Sequence, residues 1–136
     1  MIHLNKSSFF GTLFVIATTL GTFAQTTYQI GTGTAGSTTN PITAYYGYTY
    51  SQQIYLQGDL VNEGASLGTI STLRFNYVSG STINSDAWTI YIGNTSQSEF
   101  ASNTDWVPLA ELQQVFSGTV TFPAAGNWME IVLDTP

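Results

Sequence analysis

Between residues 72 and 133 large apolar side chains recur at alternate positions, and this period of two constrains the fold more than any other feature of the chain. Leu73, Phe75 and Tyr77 alternate with Arg74, Asn76 and Val78. Trp88, Ile90 and Ile92 alternate with Thr89 and Tyr91, and Met129, Ile131 and Leu133 share one face with Glu130 and Asp134 on the other. Successive side chains of a strand point to opposite faces, so each run predicts a half-buried strand. Residues 26–30 around Tyr28 and Ile30, 46–50, 52–56, 106–108 and 112–122 add further extended candidates, and Gly, Ser and Asn mark the turns between them. Gly58, Gly64 and Gly68 interrupt the one stretch with helical character, residues 57–68, which predicts a loop with at most one turn of helix. No segment repeats apolar residues at i, i+3, i+4 and i+7 over helix length. About seven short strands at roughly 10-residue intervals predict an all-β chain, an antiparallel β-sandwich of jelly-roll type.

The first residues set the compartment. Lys6 supplies a positive start, and residues 9–20 (FFGTLFVIATTL) carry no charge. That run is too short to cross a bilayer, which takes roughly 20 apolar residues. Gly21-Thr22-Phe23-Ala24-Gln25 then offers a small-x-Ala cleavage site. Residues 1–24 are therefore expected to be a signal peptide cut after Ala24, and residues 25–136 a single module that is secreted or held at the cell surface. The chain has no cysteine, so lipid anchoring through a thiol and disulfide stapling are both excluded, and packing and hydrogen bonding must hold the domain.

Once the leader is removed, Arg74 is the one basic side chain facing all 8 acidic residues. A surface of that sign repels phosphate backbones and anionic lipid, which argues against nucleic acid and direct membrane binding and leaves cations, neutral glycans or an extracellular protein as compatible partners. Residues 25–136 contain no His, Cys or Lys. Ser-His-Asp and Cys-His chemistry need an imidazole or thiolate, and zinc sites need the same groups, so the expectation is a non-catalytic module without a cofactor. Paired carboxylates of the glycosidase kind are the residual enzymatic option, but each acid sits singly in a turn or on a polar strand face.

Calcium is the one metal compatible with oxygen ligands alone, and Glu99, Asn103 and Asp105 form the best cluster, with Asp86 or Asp59 as further ligands from elsewhere; their spacing matches no EF-hand loop. The aromatic residues give a sharper idea. Tyr46, Tyr48 and Tyr50 would share one side of a strand and, with Trp106, could stack on sugar rings. The bland alternative is that such rings form the core, and Trp88 and Trp128 are assigned there. Arg74 is expected to pair with a carboxylate across the sheet.

Several strings together carry a resemblance: Ile30-Gly31-Thr32-Gly33, Tyr45-Tyr46-Gly47 with Ser51-Gln52-Gln53-Ile54-Tyr55, Trp88-Thr89-Ile90-Tyr91-Ile92-Gly93, Val115-Phe116-Ser117-Gly118 and Gly126-Asn127-Trp128. Over most of residues 28–134 the chain resembles the N-terminal β-sandwich module of exported multi-domain bacterial proteins that end in a type IX secretion sorting domain. None of these strings is a catalytic signature. The resemblance implies a module in adhesion, binding or spacing within a longer secreted protein, or a carbohydrate-binding module accompanying a secreted hydrolase, with a self-contained hydrolase ranked last. It also implies further domains of the same chain and a following strand, which would leave the sandwich C-terminally incomplete at residue 136.

Overall fold

The β1–β4 pair shows most directly how the alternating pattern is used. In the computed structural model, which describes residues 25–31, 36–37, 40–43, 46–80 and 85–136, β1 (Thr72–Tyr77) lies antiparallel to β4 (Asn127–Val132). Met129 and Ile131 are only 3% and 2% exposed, whereas Glu130 and Val132 face outward. Arg74 stands opposite Glu130 in the register, and its Nε lies 3.2 Å from the Glu130 carboxylate, so the expected cross-sheet ion pair forms. Both side chains remain substantially exposed, which limits the pair to about 1 kcal/mol or less.

A second antiparallel pair joins β2 (Ala87–Ile92) to β3 (Gln113–Thr119). Its register shifts after Ile90: Ile90 faces Phe116, but Tyr91 faces Gln114, leaving Val115 as the extra residue of a bulge. The bulge turns Val115 inward beside Phe116, so two successive side chains serve the interior. One apolar cluster unites the two sheets. Val120, Met129 and Ile131 form its buried centre, with Phe75, Trp88, Ile90, Phe116 and Phe122 packed around them. Edge-on ring contacts run through it from Phe75 to Trp88 (6.0 Å) and from Trp88 to Phe122 (6.2 Å), and the indole N–H of Trp88 donates to the Ser85 carbonyl at 2.6 Å.

The sheets also meet through the backbone. The N–H groups of Asp134 and Thr135 donate to the Val115 carbonyl at 2.8 and 3.3 Å, and the Asp134 carboxylate accepts the Ser117 N–H at 3.1 Å. Beyond this corner β3 and β4 separate into different sheets, and the carboxylate supplies the acceptor that a neighbouring strand would otherwise provide.

Residues 57–68, expected as loop with at most one turn of helix, contain a six-residue helix α1 (Gln57–Asn62). Gly64, at φ +89°, ends it: the Gly64 N–H donates to Val61 O and the Ala65 N–H to Leu60 O, the paired bonds of a Schellman motif.

The described residues thus form an all-β fold with little helix, built from two small antiparallel sheets. They hold four strands where about seven were expected from turn spacing. Residues 26–30, 46–50, 52–56 and 106–108 form no strand. Around the second of these, side chains bond the backbone of the preceding segment in place of a strand ladder. Thr49 Oγ1 accepts the Thr43 N–H and donates to the Thr43 carbonyl, and Ser51 Oγ donates to the Pro41 carbonyl at 2.6 Å. Trp128 is a further correction. It is 42% exposed on the outer face of β4 because it has the parity of Glu130 and not that of Met129. The expected signal peptide, and Thr32, Gly33 and Tyr45 of the resemblance, lie outside the described residues.

Candidate functional site

The side chain of Gln52 anchors the candidate site to the rest of the molecule. Its Oε1 accepts the Val107 N–H at 2.9 Å and its Nε2 donates to the Val107 carbonyl at 2.8 Å, so one amide copies the two-point pairing of a neighbouring strand. Val107 is buried, and Pro108 precedes a single 3-10 turn, Leu109–Glu111. With residue 107 held from both sides, Trp106 is pinned at the surface with 43% exposure.

Tyr50 packs against that indole at a centroid distance of 4.9 Å and an interplanar angle of 57°, and Phe100 approaches from another side at 6.4 Å and 50°. The Tyr50 hydroxyl accepts from Gln52 Nε2 at 2.8 Å, which ties the ring to the same anchor. Beside the rings lies a recess of about 150 Å³ lined by Gln52, Phe100, Ser102, Asn103, Asp105 and Trp106.

Asp105 organises the loop that forms this wall. One carboxylate oxygen accepts the Ala101 N–H at 2.8 Å and the other accepts from Gln97 Nε2 at 3.2 Å, while its own N–H donates to Ser102 O. Of the aromatic residues singled out from the sequence, Tyr50 and Trp106 come together. Tyr46 and Tyr48 are 64% and 96% exposed, and the strand expected to align them with Tyr50 does not form. Of the three calcium candidates, Asn103 and Asp105 line the recess, whereas Glu99 is exposed and does not. No group of three or more His, Cys, Asp or Glu side chains gathers to hold a metal among the described residues.

Gln52, Gln97 and Phe100 were not foreseen. Gln52 acts on a residue 55 positions away, a separation at which neither alternation nor turn chemistry carries a signal, and Phe100 sits alone in a polar loop.

A larger recess of about 340 Å³ lies at the end of the sheets, with Ile70, Ile92, Val115 and Leu133 among its lining residues. Thr69, Asn94, Gln113 and Thr135 share its walls with these aliphatic groups, and no aromatic ring lines it for stacking. No helix among the described residues is long and apolar enough to cross a membrane. The chain was compared with models of protein families, with curated proteins and with solved structures, and none matches it.

Proposed function

We propose that the chain is a non-catalytic, extracellular binding module of a longer exported protein, acting in adhesion or in docking a partner domain, and that its surface around Tyr50 and Trp106 seats a glycan. The observation that carries this reading is the exposed Tyr50–Trp106 ring pair, 4.9 Å between centroids, set beside a mainly apolar recess walled by Phe100 and Trp106 and edged by Gln52, Ser102, Asn103 and Asp105. Sugar rings present apolar C–H faces edged by hydroxyls, and such a surface answers both. Tyr46 and Tyr48, close to Tyr50 in sequence, are also exposed. The lack of His, Cys and Lys in residues 25–136 supports the non-catalytic part, because the usual nucleophile and base pairs cannot be assembled from what remains.

A sandwich of jelly-roll type is the finer architecture we propose, supported by an apolar cluster fed from both sheets. Calcium is an alternative occupant of the Asn103–Asp105 loop, and titration with and without chelator distinguishes it from a sugar.

The test is a glycan array probed with the secreted protein, followed by titration of the best ligand against Trp106→Ala. Losing one stacking ring should weaken binding roughly five- to tenfold. An array without hits, or a Trp106→Ala variant that binds as well as the parent, refutes the assignment.

A further inference from the structure

We infer that the recess beside Trp106 selects glycans bearing a protonated amino group over their neutral, N-acylated counterparts. The inference rests on the glycan reading above and narrows it to a ligand class. Two of the recess walls are aromatic: Phe100 and Trp106 stand 6.4 Å apart at 50°, forming a corner in which a seated cation lies within range of both rings. The third chemically distinct wall is Asp105. An ionised carboxylate offers about four acceptor positions, and two are engaged, by the Ala101 N–H and the Gln97 amide. An ammonium brings that carboxylate a positive charge as well as donors, whereas the N–H of an acetamido group brings one neutral donor and no charge.

Nothing nearby offsets that negative charge. Arg74, the one basic residue beyond the leader, is engaged with Glu130 on the β1–β4 sheet. The chain as a whole carries a formal charge of −6 at pH 7, which draws cationic ligands in and keeps anionic ones out. An amino substituent on a sugar ring sits one bond from the face that stacks, so the ring can lie on Trp106 while the ammonium enters the corner.

Calorimetric titration of the secreted protein with two oligosaccharides of equal length tests this: β-1,4-linked glucosamine and its fully N-acetylated form, in mildly acidic buffer below the titration range of the sugar amines, where the free amines are protonated. The free-amine ligand should bind roughly fivefold more tightly or better, from a cation–ring contact and an ion pair together. The preference should shrink as ionic strength rises. Asp105→Asn, which keeps an acceptor for the Ala101 N–H, should bring the two ligands to near equality, with a thermal melt checking that the loop stays folded. If that variant unfolds, the salt dependence of the parent protein decides. Equal affinities, a preference for the acetylated form, or a preference indifferent to salt overturns the inference and leaves the glycan reading standing. Binding of neither ligand by a protein that captures other glycans also overturns the inference alone; binding of no glycan overturns both.

Discussion

Partial burial of the Tyr55 ring pushes its phenol above the ordinary tyrosine range near 10, although 52% of the residue's surface remains exposed. Its hydroxyl proton is held against Gln53 Oε1 at 2.5 Å. A raised folded-state value means that the unfolded chain releases this proton first as pH rises. The stability attached to Tyr55 is therefore intact below about pH 10 and is lost as pH climbs through the folded value. Thermal melts of the parent protein should fall more steeply above about pH 10 than those of Tyr55→Phe, with the two converging at neutral pH apart from the lost hydrogen bond. The difference should be small, because water still screens half of the side chain. Parallel curves across that range would show that Tyr55 contributes nothing to alkaline unfolding.

At the scale of elements, Gly93 shows how little space separates the end of β2 from the start of β3. A Cβ placed there would come within 2.7 Å of Leu112 Cδ2 and 2.9 Å of the Glu111 carbonyl oxygen, and the latter is backbone that cannot swing aside. Gly93→Ala should cost about 1–3 kcal/mol by overpacking, visible as a lower urea midpoint; an unchanged midpoint would mean that the 3-10 turn yields freely. Such crowding was invisible in the sequence, where Gly93 reads only as the end of a strand.

The paired strands were legible because burial on one face imposes a period of two, and Phe75, Trp88 and Ile131 obey it. Where a run of alternating tyrosines met no partner strand, as at Tyr46, Tyr48 and Tyr50, the same period carried no structural meaning. The bulge at Val115 and the outward Trp128 are choices of register, which pairing decides and composition does not. Half of the candidate site was legible in the same way: Trp106 and Asp105 drew attention by residue type, whereas Gln52 gained its role only through a contact across the fold.

At the scale of the whole molecule, the proposed export makes a claim about the starting residue. Mass spectrometry of protein recovered outside the cell should find the mature chain beginning at Gln25 or within a residue or two of it, and an intact Met1 on that material would contradict the leader assignment. The remaining chain depends on a cluster shared by two sheets and on the corner where Asp134 and Thr135 reach Val115. Neither sheet can leave the other without exposing Met129, Ile131 and the rings around them, so opening one opens both.

That coupling gives the Arg74–Glu130 pair a significance unrelated to its energy. In a chain shortened to residues 25–136, Arg74 is the only residue after which a trypsin-like protease could cut. The bond that follows it leads into Phe75, in the middle of β1, whose neighbours are held in register along the whole of β4. A protease needs several residues in extended, accessible form, and here they can be presented only by lifting β1 away from the shared core. Digestion by such enzymes would therefore track the rare excursions of the entire fold, and a protein that works among extracellular proteases would present them with one lock, closed by its own structure.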